Sequence, residues 1–178
     1  GNITLANRWG LFEFKGIEDG FEIVLSVERC NVIRVLGDGS YVVGTADRGI
    51  LRYDKTGKLL ENETNRFRSV ERFVAGLEVT EGGEIWISHL GGVTQISADG
   101  EETHYDRRDG IQSGRFFEQS SRMLKDGSVC FGGNGGFTIF NPAIVHNGSG
   151  TAVPYLTEIK VNDENIVRIT ITESTHRI

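Results

Sequence analysis

The sequence predicts an all-β fold: a partial β-propeller of about three and a half four-stranded blades, followed by the first strands of a second β unit. Three observations lead there. Asp126-Gly127 lies 44 residues after Gly82-Gly83, which lies 44 after Asp38-Gly39. Each of these marks is a turn between two apolar runs, and Asp-Gly there is a strong hairpin signal because glycine accepts the positive φ that the turn needs. The run after each turn is apolar at consecutive positions, as a strand covered on both faces should be. Blade repeats of about 40–50 residues agree with the observed period.

The chain opens inside a unit. Gly10-Leu11-Phe12-Glu13-Phe14 matches Gly49-Ile50-Leu51-Arg52-Tyr53, so Ile3-Thr4-Leu5 reads as the end of the strand before it. Three fuller units follow. Their first strands are Val32–Leu36, Leu77–Val79 and Ser121–Leu124. Their second strands are Tyr41–Gly44, Ile85–Ser88 and Val129–Gly132, in which Val42, Trp86 and Cys130 share one slot. That slot makes Trp86 a core residue and Cys130 a buried apolar thiol. A short loop ending in Gly49, Gly92 or Gly136 leads to the third strands, Ile50–Tyr53, Val93–Ile96 and Phe137–Phe140. Turns at Lys55-Thr56-Gly57 and Ala98-Asp99-Gly100 then introduce a weaker fourth strand.

The period stops after Asn141-Pro142, which sets residues 1–147 apart as propeller blades and 148–178 as a linker with the start of another β domain. In that tail Pro154–Val161 and Ile166–Ile171 read as two strands joined at Asn162-Asp163. Closed propellers have typically 4–8 blades. Fewer blades would leave sheet edges and apolar faces exposed, so the expected partner is the rest of a larger propeller or another copy of the chain.

Composition removes several classes of function. The net charge of -6 and the lack of any basic cluster disfavour nucleic acid as a partner. No apolar run is long enough for a membrane span, and residues 1–4 do not open a signal peptide. The two cysteines, Cys30 and Cys130, make no disulfide framework. His89, His104, His146 and His176 lack metal-ligand spacing, so no metal or cofactor is expected. No nucleophile constellation is present, and Gly132-Gly133-Asn134-Gly135-Gly136 precedes a strand without Lys-Ser/Thr, which makes it a turn and not a phosphate loop. The expected set of catalytic residues is empty.

Asp38–Thr45 and Gly49–Asp54 resemble the two-component-regulator propeller repeat. Asp109-Gly110-Ile111-Gln112-Ser113, Phe116 and the run Lys125–Pro142 are similar to the closing repeat of such sensors, and residues 154–165 resemble the start of the Ig-like domain that follows. The resemblance implies a periplasmic, non-catalytic sensor region of a Bacteroides-type hybrid histidine kinase that senses oligosaccharides. Contact with the membrane would come only through the parent protein's span.

Propeller topology puts the loop between the second and third strands on the same rim as the blade-to-blade connections. Arg8, Trp9, Arg48, His89 and Arg115 then become the candidate ligand-binding residues, since sugars need an aromatic face and polar groups that reach hydroxyls. Two other classes fit the fold. A propeller enzyme such as a lyase or lactonase would need converging His and acidic groups, of which this rim supplies His89 alone. A protein-interaction propeller would need an apolar or charged rim patch.

Overall fold

A computed structural model describes residues 3–62, 72–112 and 114–145, together with the strands Glu158–Val161 and Glu164–Arg168. The chain begins with β1 (Thr4–Asn7), β2 (Gly10–Gly16) and β3 (Gly20–Ser26), which pair in that order as a three-stranded antiparallel sheet. The second sheet holds β4 (Cys30–Val35), β5 (Tyr41–Thr45), β6 (Ile50–Tyr53) and β7 (Leu59–Asn62). The third holds β8 (Gly76–Val79), β9 (Ile85–His89), β10 (Gly92–Ile96) and β11 (Glu102–Tyr105). The fourth holds β12 (Phe116–Met123), β13 (Val129–Gly133) and β14 (Gly136–Phe140). Each is a meander paired only to its sequence neighbours, and together they make an open propeller sector. The tail strands β15 (Glu158–Val161) and β16 (Glu164–Arg168) form a separate antiparallel pair. The Asn162-Asp163 turn expected between them lies outside the described residues.

The period is visible in the backbone. Gly39, Gly83 and Gly127 occupy equivalent turns with φ of 83°, 85° and 83°. Each donates its N–H three residues back, to the carbonyls of Leu36, Thr80 and Leu124 at 2.9, 3.0 and 3.1 Å. A side chain at this φ would be strained, which is why glycine recurs there. In the first of these turns Asp38 Oδ1 accepts from the Ser40 N–H and hydroxyl, and those bonds hold its carboxyl below the usual range.

Neighbouring sheets pack face to face. Leu11, Leu25 and Val27 of the first sheet and the connection after it meet Ile33, Tyr41, Val43 and Leu51 of the second. On the other face of the second sheet Val32, Val42 and Ile50 meet Leu77, Ile85 and Ile87 of the third. Trp86, Val93 and Tyr105 then meet Phe116, Val129, Phe131 and Phe140 of the fourth. The two middle sheets are therefore covered on both sides, so Val42 and Val43 are both buried although they point opposite ways. This is the physical reason for the unbroken apolar runs.

The two end sheets differ. One face of the first carries Leu5, Phe12 and Ile23 in a cross-strand row and Phe14 against Phe21 in another. On the outward face of the fourth, Arg122, Cys130 and Ile139 form a row, with Phe137 nearby. Phe137 is 70% and Ile139 43% exposed. Here the sequence expectation for Cys130 needs correction. It occupies the slot of Val42 and Trp86, yet it is half-buried, because the fourth sheet has no covering sheet on that side among the described residues.

Two elements depart from their expected bounds. β12 starts at Phe116, five residues before the expected strand, because a bulge between Phe116 and Ser121 carries the strand past a register shift. β3 completes the opening unit; its turn ends in Asp19-Gly20, with Gly20 at φ 65°, the counterpart of Asp99-Gly100 before β11, and the sequence expectation did not include it.

Candidate functional site

The hydrogen bonds put the second-to-third-strand turns and the blade connections on one rim. Cys30 N–H donates to Arg8 O at 3.1 Å, Gly49 N–H to Arg72 O at 2.7 Å and Asn134 N–H to Arg115 O at 3.0 Å. Trp9 is 56% exposed, and the Arg8 guanidinium lies 5.1 Å from its ring centroid, within cation–π range. Arg48 Nη2 donates to Glu28 O at 3.0 Å. Arg115 donates to Glu118 Oε1 at 2.7 Å and lies 5.3 Å from the Phe73 ring. Arg8 and Trp9 are thus brought together, whereas Arg48 and Arg115 are each tied to the connection beside them.

His89 is not part of an exposed rim. It closes strand β9 and is 2% exposed. Its Nδ1 accepts the Gly91 N–H at 3.1 Å, which leaves Nε2 to donate to Thr94 Oγ1 at 2.9 Å; the Thr94 hydroxyl then donates to His104 Nδ1 at 3.2 Å. Burial, with the nearby His104 ring adding to it, pushes the His89 imidazole down to about 4. A neutral ring with both nitrogens engaged is a structural group. Phe116, next to Arg115, is also buried, packed edge-on to Phe131.

A second concave region lies between the inner strands. It is an open cleft of about 230 Å³ lined by Ala6 and Asn7 from β1, Cys30–Arg34 from β4, and Gln119, Ser121 and Arg122 from β12. One wall is locked by a network that crosses three sheets. Arg34 Nε donates to Glu78 Oε2 at 2.9 Å, and Arg34 Nη2 bonds Glu78 Oε1. Nη2 also donates to the Ser121 carbonyl and hydroxyl oxygens at 3.2 and 3.1 Å. Ser121 Oγ receives the Leu77 N–H at 3.2 Å. Glu78 is 3% exposed, so this carboxylate is tolerable only because the guanidinium grips both of its oxygens. The pair holds the inner ends of the sheets in one arrangement and so fixes the shape of the cleft.

Gln119 sits in the bulge of β12 at φ 61°, a conformation uncommon outside glycine. Its N–H donates to Ala75 O at 3.2 Å, which anchors the bulge to the third sheet. Bulges re-aim side chains, and this one turns Gln119 into the cleft wall. None of the cleft's polar residues stood among the sequence candidates. The available signal was the slot shared by Arg34, Glu78 and Arg122, charged residues 44 apart inside otherwise apolar strands.

The sequence matches no family model. It matches no curated protein either. In fold the chain is similar to the extracellular domain of a hybrid two component system from B. thetaiotaomicron, with a TM-score of 0.61 and 16% identity over 94% of this chain and 25% of that one. It is also similar to the extracellular domain of a one component system from the same organism, with a TM-score of 0.63 and 16% identity over 79% of this chain and 21% of that one. A streptogramin B lyase shares the fold at a TM-score of 0.51 and 13% identity, over 80% of this chain and 49% of the lyase. The chain therefore spans about a quarter of the length of the two extracellular domains and half that of the lyase. Likeness at these identities establishes the propeller fold.

Proposed function

We propose that this chain is part of the extracytoplasmic sensor region of a two-component histidine kinase, located in the periplasm, and that it takes part in recognising an oligosaccharide. The observation that carries the reading is the match of 94% of the chain to one quarter of a two component system's extracellular domain, together with the closing-repeat motif Lys125–Pro142. In this reading residues 1–147 are propeller blades and 148–178 lead into an Ig-like domain. Ligand binding shifts the arrangement of blades and following domain by preferring one state over the other. Among the described residues no helix is long and apolar enough to cross a membrane. Contact with the bilayer is assigned to the parent protein.

In this reading the chain's own role is binding. Each uncovered end face is proposed to take another β-sheet, either from further blades of a longer propeller or from a second copy of this chain. The pattern supports this, because Phe137 stands where the middle sheets bury Ile50 and Val93.

The test has two arms. The coding sequence on either side is read for further 44-residue repeats and for a membrane span with a kinase. The chain is also titrated with a panel of neutral and acidic oligosaccharides. Flanking repeats, a kinase and saturable saccharide binding are expected. A reading frame confined to this segment, or binding of proteins but no saccharide, overturns the reading.

A further inference from the structure

We propose that the arginines on the rim of the blade connections bind a polyanionic oligosaccharide, one that carries carboxylate or sulfate groups on successive units and lies across the rim from the first sheet to the fourth. The saccharide part of this inference rests on the sensor reading above; the preference for a polyanion rests on the rim itself.

The two rims of the sector carry different cations. On one rim the turns hold Arg8 and Arg48 and the connections hold Arg29, Arg72 and Arg115, with Arg107 and Arg108 further out; no lysine lies there among the described residues. The turns of the opposite rim hold Lys55, Lys58 and Lys125 and no arginine. Acids on that opposite rim serve the turns themselves: Asp38, Asp54 and Asp126 each accept the N–H two residues on, at 2.9, 2.8 and 3.0 Å. A lysine is a strongly hydrated point charge, whereas the planar fork of a guanidinium matches carboxylate and sulfate. The sorting of the two cations therefore favours oxyanions on the arginine rim, in a chain whose net charge is -6.

Contacts join five of these arginines into one arc. Arg8 O receives the N–H of Cys30, the residue after Arg29, at 3.1 Å, and Arg48 Nη2 donates to the carbonyl of Glu28, the residue before it, at 3.0 Å. Arg72 O receives the N–H of Gly49, next to Arg48, at 2.7 Å, and the Arg115 guanidinium lies 5.3 Å from the ring of Phe73, next to Arg72. Acids answer only part of this charge. Asp47 pairs with Arg29 and Glu118 with Arg115. Arg72 is exposed with no side-chain partner among the described residues, and Arg8 has the Trp9 ring and no acid. Trp9 and Phe73 set an aromatic face beside a guanidinium in each half of the arc, a pairing that suits an acidic sugar. Neighbouring sheets stand about 10 Å apart, so an arc across four of them takes a chain of several units and not a single ring. The rim is made by strand ends and not by the outer faces of the first and fourth sheets. Sheets added at either end would lengthen the arc without covering it, and Arg48 and Arg72 already lie between sheets present on both sides.

The experiment titrates the chain by calorimetry with sodium tetragalacturonate, a heparin-derived tetrasaccharide and neutral galactotetraose, at low and at physiological ionic strength. Saturable binding of at least one anionic tetramer is expected, tighter than that of its monosaccharide and weaker as salt rises. R8Q combined with R72Q should weaken it about tenfold, for two exposed charge pairs lost. The melting temperature should stay unchanged, since neither side chain has a hydrogen bond or ion pair among the described residues. K55Q combined with K58Q, on the opposite rim, should leave binding as it is. No saturable binding of either anionic tetramer overturns the proposal. Anion binding that the two lysine changes weaken as much as the two arginine changes also overturns it, as attraction without a site. Galactotetraose that binds as tightly as the anions, and equally in R8Q/R72Q, sinks the polyanion inference while leaving the sensor reading intact. Self-association abolished by R8Q/R72Q, with no anion bound, would assign the rim to an acidic protein surface instead.

Discussion

Acidification should weaken the fold through His89 by an amount that follows from its surroundings. The folded imidazole sits at about 4 against an ordinary 6.5, so between those values the unfolded chain binds a proton that the folded chain refuses. Stability from this group is complete above 6.5 and is lost as pH falls toward 4. From pH 7 to 4.5 the loss comes to about 2 kcal/mol. Burial is the main reason and the His104 ring adds to it; a second proton would also have to go onto Nδ1, which already accepts the Gly91 N–H. The assay is urea unfolding of the native chain and His89→Gln at several pH values, since other groups titrate too and the difference between the two isolates His89. That difference should shrink by about 2 kcal/mol over the interval. An NMR titration should show the His89 ring unprotonated at pH 5.5. A pH-independent difference, or a His89 midpoint near 6.5, would refute the reasoning.

Three further outcomes follow from the packing. Glu78→Ala leaves the Arg34 guanidinium without its carboxylate and should cost about 3 kcal/mol in unfolding experiments, whereas the double change with Arg34→Met should recover part of that loss. Gly92→Ala should cost about 3 kcal/mol, because its Cβ would fall 2.2 Å from Tyr105 O on top of an unfavourable φ; Gly136→Ala, with nothing within 4 Å, should cost about 1 kcal/mol. In a thiol-reagent assay Cys130 should react in the folded protein while Cys30, buried and with its thiol pushed up to about 11, should react only on unfolding.

How much of this was legible in the sequence depends on the kind of constraint. Turns were legible because a positive φ at Gly39, Gly83 and Gly127 restricts the residue locally. The sandwiching of the middle sheets was legible because it removes alternation, as at Val42-Val43. The site was much less so. His89 looked like a loop residue, since two glycines follow it, but its burial is decided by Thr94 and Gly91 across a tight turn. The Arg34–Glu78–Ser121 network joins residues 44 and 87 positions apart, and no local pattern announces such a pairing. The bulge at Gln119 and the half-exposed Cys130 depend on what does or does not pack alongside. The repeat marks equivalent positions; it does not say which of them end a stack.

The central proposal is that this propeller sector takes further sheets on its two end faces. Sedimentation equilibrium over a range of concentrations tests it most directly, on the native chain and on Phe21→Asp and Phe137→Asp, which place a charge on either end face. The account expects reversible association that grows with concentration and falls in both variants, with the fold retained. A native chain that stays a well-folded monomer at every concentration, indistinguishable from the two variants, would contradict it.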